Sequence, residues 1–364
     1  MITKEKILEA LSNVEDPDLK KDLVTLGMIQ DLEIKDKNVK FTLMLTTPAC
    51  PMKDMLTQAC KNAIWHLVDK DAEIDMHVTA NVKPTVQAPS GGSAIGNIIA
   101  VVSGKGGVGK STVASNLAVS LQKQGARVGL IDADIYGPSI PTMFNLLGQK
   151  PKQTTRDGKN YMLPIEQFGV KILSIGFFTE GDQAIPWRGP MVSSALKQFF
   201  NDAYWGDLDY LVIDMPPGTG DIHLTLMQQF PVTGAVVVTT PQEVALADAK
   251  KAINMFKVKQ LETPVIGIVE NMAYFTPAEL PNNKYYIFGQ DGGKKLAEEY
   301  QVPFLGSIPI VQAVREAGDE GMPAVLNENE IVSGAFRDIA MSVAQQLSII
   351  NSKPKADKAE VAHS

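Results

Sequence analysis

Residues 97–121 read NIIAVVSGKGGVGKSTVASNLAVSL: an apolar run, a turn of ten residues with four glycines, then an apolar helical pattern. So many glycines between a buried strand and a helix imply that backbone N–H groups approach a ligand closely, and at a helix N-terminus that ligand is an anion. Two templates share these glycines. Gly104, Gly106 and Gly109 satisfy G-x-G-x-x-G, the dinucleotide fingerprint, while Gly104, Lys105, Gly106, Gly107, Val108, Gly109, Lys110 and Ser111 satisfy G-x-x-x-x-G-K-[ST]. Only the second needs a lysine for the β- and γ-phosphates and a hydroxyl for Mg²⁺. It also predicts a second apolar strand ending in aspartate, and residues 210–214, YLVID, supply it. The loop, continued by Thr112, is read as a nucleoside-triphosphate site. No NKxD guanine reader is visible, since Asn283-Lys284 is followed by two tyrosines, so ATP is expected. Lys105 is one cation more than such a loop requires.

The rest of the second half has the same character. ARVGLIDAD, GVKILSIG, YLVIDMP, GAVVVTT, PVIGIVEN and PFLGSIP are apolar runs separated by helical patterns. They predict an α/β fold with a mostly parallel sheet covered by helices on both faces, and ligands at the C-terminal strand ends. Asp132 and Asp134, at the end of one run, share a face of an extended segment. Either could orient attacking water. Asp214 leads into MPPGTGD, a turn placed to sense a γ-phosphate.

A separate domain precedes this one. Residues 83–97, KPTVQAPSGGSAIGN, lack apolar periodicity and read as a flexible linker. Before them lie an amphipathic helix with Ile7, Leu8, Leu11 and Val14, a strand alternating at Val39, Phe41, Leu43 and Leu45, a second helix and a last strand near EIDMHVTANV, a small α+β unit. The organisation expected is a small domain over residues 1–82, a linker over 83–96, the nucleotide-binding domain over 97–350 and a disordered polar tail over 351–364. The net charge of −7 disfavours a nucleic-acid or anionic-membrane surface. No stretch is long enough to span a membrane. Two cysteines and four histidines give neither a disulfide framework nor metal-ligand spacing, so a reducing, cytoplasmic setting is expected. Cys60 shares a helical face with Leu56, Ile64 and Leu67 and reads as core. Pro51 suits the first helical position, which would make Cys50 an N-cap with a depressed thiol pKa.

KGGVGKS, DADIYGPSIP, IDMPPGTGD and VENMAYF together resemble the Mrp/ApbC group of iron–sulfur cluster carrier ATPases, within the MinD/ParA class of deviant Walker A loops. VEDPDLKKDLVTLGMI and LTTPACP resemble the MIP-eighteen-like domain often fused in front. The resemblance implies an ATP-dependent homodimer serving recipient apoproteins or other cluster-assembly proteins. Lys105 would reach the partner's nucleotide, Asp134 would position the catalytic water, Asp214 would hold Mg²⁺ through water beside Ser111, and Asn271 would contact adenine. The CxxC pair that many such proteins carry after the ENM segment is missing from ENMAYFTPAELPNNKYYIFG. Cys50, matched by the cysteine of TPACP in related domains, is the thiol left as a cluster ligand. Two other readings are a MinD/ParA-type positioning or partner-switching ATPase without a cluster, and a nicotinamide-dependent oxidoreductase, which Lys110 and Ser111 oppose.

Overall fold

The computed structural model describes residues 2–353 except 83, 85, 88–93, 136, 157, 179–188, 259, 260, 262, 278, 281, 328 and 329. It divides into two compact units, Met1–Val82 with Ala344–Ser364, and Lys83–Val343.

In the first unit, strands Ile29–Lys35 and Asn38–Leu45 form an antiparallel hairpin, and Glu73–Ala80 joins the second strand in parallel. A parallel neighbour requires a crossover, and the helix Lys53–Leu67 provides it. The alternation of Asn38–Leu45 sends Val39, Phe41, Leu43 and Leu45 into the core, where they meet Ile7 and Leu11 of the helix Lys4–Leu11 and Leu56, Cys60 and Ile64 of the crossover helix. Full burial of each large aliphatic contributes roughly 1.5–3 kcal/mol.

The second unit is built on a sheet ordered Ile165–Gln167, Val170–Ser174, Val128–Asp132, Leu208–Asp214, Ala94–Val102, Gly234–Thr239, Val265–Glu270, Phe304–Ser307. All seven strands expected from the sequence are present and mutually parallel, while the edge strand Ile165–Gln167 and the short strand Val86–Gln87 run antiparallel to their neighbours. After Ala94–Val102 the chain builds outward on one side of the sheet and later returns to build on the other, so that strand's C-terminal end is a topological switch point. The glycine-rich loop leaves from there. The strand begins at Ala94 because Ala94 and Ile95 pair with Val86–Gln87 and Asp207 accepts from the Ala94 N–H. The expected linker therefore ends earlier, and the remainder of that expectation, 83, 85 and 88–93, lies outside the described residues. The final helix, Glu330–Ser352, continues two residues into the expected tail; 354–364 lie outside the described residues.

Candidate nucleotide site

Parallel register brings three strand ends level: Asp214 stands beside Asp132 and Val101, and Asp132 beside Ser174. From Val102 the chain turns through the glycines into the helix Lys110–Lys123, most of whose residues from Lys110 to Leu121 are buried, so its N-terminus is held rigidly under the loop. Two glycines are indispensable. At Gly104 a Cβ would sit 2.2 Å from the backbone carbonyl of Asp248, so the loop could not lie against the helix Glu243–Phe256. Gly109 has φ 83°, and a Cβ there would lie 2.1 Å from the Asn271 amide nitrogen.

Lys110 is turned inward. Its Nζ lies 2.6 Å from Asp214 Oδ1, 3.3 Å from Asp134 Oδ2 and 3.2 Å from Ser111 Oγ. Burial works against the ammonium, but Asp214, Asp134 and Asp132 outweigh it and raise its pKa. Burial also raises the Asp214 carboxyl, a shift the Lys110 ammonium and the Ser111 hydroxyl reduce without cancelling. Asp132 is pushed up to about 8 by burial and by the Asp214 charge. Burial is the leading cause for both carboxyls, and for Asp132 the neighbouring Asp214 charge adds to it. One oxygen, Asp214 Oδ2, is buried without a hydrogen-bond partner.

The two aspartates left open as water-positioning candidates separate here. Asp132 is fully buried and already accepts from Ser174 Oγ at 2.8 Å, Asp134 N at 3.1 Å and Ile140 N at 3.3 Å, so it fixes the loop that follows it. Asp134 faces Lys110 with its side chain 12% exposed. Asn271, at the end of Val265–Glu270, donates to the Val108 carbonyl at 2.9 Å. It also lines a pocket of about 650 Å³ with Gly109, Thr112, Met143, Ile310 and Arg315. The wall formed by residues 309–319 was not singled out in the sequence; its position after the strand Phe304–Ser307 was the available signal. Lys105 differs from Lys110: half-buried, its ammonium has no ion-pair or hydrogen-bond partner among the described residues.

Cys50 departs from expectation. The helix starts at Lys53 with Met52 as N-cap, and Cys50 lies in the preceding turn, contributing its carbonyl to the Lys53 N–H at 3.3 Å. The thiol is not depressed. Burial pushes it up, and the carboxylates of Asp16 and Asp18 add to the shift. Cys60 is fully buried and pushed up to about 12, as a core thiol should be. Among the described residues no three His, Cys, Asp or Glu side chains converge as a metal-holding group.

Known proteins resemble this chain over most of its length. Residues 94–344 match the ParA family of NUBPL iron-transfer P-loop NTPases, and residues 4–76 match the iron–sulfur cluster assembly protein family. The "Iron-sulfur cluster carrier protein" of Synechocystis sp. is 45% identical over 352 residues, 96% of this chain and 99% of that protein. The protein of the same name from Escherichia coli is 44% identical over 340 residues, 93% of this chain and 90% of that one. A nucleotide-binding protein from Archaeoglobus fulgidus, solved in complex with ADP, is 42% identical with a TM-score of 0.55, covering 63% of this chain and 88% of that one. This chain belongs to the NUBPL-type iron-transfer P-loop NTPases of the ParA family, with an iron–sulfur cluster assembly domain in front.

Proposed function

We propose that this protein hydrolyses ATP as a nucleotide-dependent homodimer in the cytoplasm and uses the cycle to assemble or deliver iron–sulfur clusters to recipient apoproteins. The observation that carries the nucleotide half is the single buried ammonium of Lys110 held between Asp214 and Asp134 at the mouth of the glycine loop. The cargo is inferred from relatives named as iron–sulfur cluster carriers.

ATP phosphates would replace Asp214 as the partner of Lys110, with the loop N–H groups and the N-terminus of Lys110–Lys123 receiving the remaining oxygens. Mg²⁺ fits the residues present, because Asp214 Oδ2 is buried without a partner and the carboxylates outnumber the cations. Ser111 and, through water, Asp214 would hold it, and it would neutralise charge on the β- and γ-phosphates. Asp134 would orient water and accept its proton as the water oxygen bonds to the γ-phosphorus and the bridging oxygen leaves with ADP. Lys105, whose ammonium has no partner among the described residues, would reach the phosphates of the second copy's nucleotide. The pocket beside Asn271 would take the adenine.

The small domain over residues 1–82 would present Cys50, joined to the ATPase by the linker. Because the thiol is raised in the free protein, iron must displace its proton, and the remaining ligands must come from a second copy, a small thiol or the recipient. Anaerobic reconstitution with iron and sulfide, followed by iron counting and optical spectra, tests this. The parent should bind iron and Cys50→Ser should lose it with ATPase activity retained. A colourless, iron-free parent would transfer the reading to a partner-switching ATPase, and full iron on Cys50→Ser would remove Cys50 as ligand.

A further inference from the structure

His223 lies outside every motif named above. It belongs to the helix Asp221–Gln229, is 2% exposed, and its Nε2 lies 2.7 Å from the carbonyl of Pro216. With a carbonyl as partner, that nitrogen carries the proton and donates. Nδ1 is buried with no hydrogen-bond partner. A buried polar ring left half satisfied is unfavourable as mere packing, which an apolar residue of similar size would do better.

What the ring holds is the loop after Asp214. Pro216 and Pro217 have no N–H, so this stretch can be secured only through its carbonyls and the amides flanking them. On one side, Met215 N donates to Val101 O at 3.1 Å and Gly218 N to Ser103 O at 2.9 Å, tying the loop to the entrance of the glycine-rich turn. On the other side the Pro216 carbonyl is held by His223, whose own N–H donates to Gly220 O at 3.0 Å. Residues 215–220 are thus suspended between the phosphate loop and one helix.

We propose that His223 is a positioning residue for ATP hydrolysis, its ring tethering the Pro216 carbonyl so that residues 216–220 face the γ-phosphate in the shape that turnover requires. The inference rests on the ATPase reading above. Releasing the tether leaves the loop's attachment to Ser103 and the whole phosphate-binding turn in place, so ADP affinity stays constant while the hydrolytic geometry is lost. Misplacement by about 1 Å at such a site lowers turnover by as much as about 100-fold.

The test compares His223→Leu, which fills the space without a donor, with His223→Gln, which retains one. ADP affinity by calorimetry should match the parent in both. Single-turnover ATP hydrolysis should fall about 10- to 100-fold in the leucine variant and recover most of the parental rate in the glutamine variant. Parental turnover in His223→Leu would overturn the proposal, as would equal losses in both variants or a parallel loss of ADP affinity. If the leucine variant does not fold, His223→Ala with added imidazole replaces it: rescue of turnover supports the tether and no rescue overturns it. A parent without any turnover sinks the ATPase reading and this inference with it, whereas turnover shared by parent and leucine variant sinks this inference alone.

Discussion

Replacing Lys110 with alanine removes the ammonium that pairs with buried Asp214 and Asp134, and the consequence can be worked before any nucleotide is added. The ammonium lies 2.6 Å from Asp214 and 3.3 Å from Asp134, with side-chain exposures of 6% for the lysine, 0% for Asp214 and 12% for Asp134. Breaking a buried pair by deleting one partner destabilises by about 3–5 kcal/mol, because the other charge is left uncompensated. Protonation limits that loss. Asp132 is pushed up to about 8 and Asp214 is raised beside it, so the variant answers the lost ammonium by placing one more proton on this pair. Taking that proton requires about 1.4 kcal/mol per pH unit above the ordinary carboxylate value, roughly 4 kcal/mol at pH 7 and roughly 2 kcal/mol at pH 5.5.

The sign follows from linkage. A carboxyl whose folded pKa is raised binds its proton in the native state and releases it on unfolding, so stability is greatest below the unfolded pKa and is lost as pH rises toward the folded one. The deficit of Lys110→Ala relative to the parent should therefore widen from pH 5.5 to pH 7. Amide exchange of the strand Leu208–Asp214 in nucleotide-free protein, variant against parent at each pH, reads it directly: roughly a thousandfold faster at pH 7 and a few tens-fold at pH 5.5. Equal protection at both pH values, or a deficit that does not depend on pH, would refute the charge argument. Nucleotide affinity falls in the same variant, and unchanged ATP binding by calorimetry would refute the phosphate-loop assignment separately.

Lys105→Ala should leave nucleotide affinity intact, since the ammonium has no partner among the described residues, while ATP-dependent dimer closure and turnover fail; normal dimerisation by light scattering together with parental turnover would return Lys105 to solvent. Asp134→Asn should retain ATP and slow hydrolysis, trapping the dimer, and because it removes excess negative charge around Lys110 it should not lower the stability of the nucleotide-free protein. Single-turnover hydrolysis at the parental rate would exclude Asp134 as the water-positioning group.

Much of the nucleotide site was legible because its residues are neighbours in sequence or sit at strand ends. The run Ala94–Val102 announces a buried strand, the glycines announce a close approach, and Asp214 closes the only other run that reads YLVID. What escaped depends on distant chain segments. Asp132 and Asp134 look equivalent at i, i+2, yet a serine 42 residues away accounts for one of the three hydrogen bonds that commit Asp132 to structure. Cys50 looks like a cap because Pro51 follows it, but the helix starts at Lys53, and the burial and carboxylates that raise the thiol come from tertiary packing and from Asp16 and Asp18. No local pattern marks His223, whose partner is a proline carbonyl seven residues earlier in a stretch with no regular period.

The two lysines of the loop now have separate physical explanations. Lys110 lies inside the loop against Asp214 and Asp134, and burial raises the carboxyls of Asp132 and Asp214 beside it. On the reading proposed above, incoming phosphates would worsen the charge imbalance by drawing Lys110 away from Asp214, and a divalent cation at Asp214 would correct it, so nucleotide and metal binding would depend on each other. The phosphates would then retain negative charge on the side of Gly106, where a Cβ would meet nothing within 4 Å. Lys105 is next to Gly106 in the chain, and its ammonium has no ion-pair or hydrogen-bond partner among the described residues. In the proposed homodimer a second copy closing over the loop would supply a further cation to each site by exchange, and the excess lysine would then answer a charge requirement of the bound triphosphate.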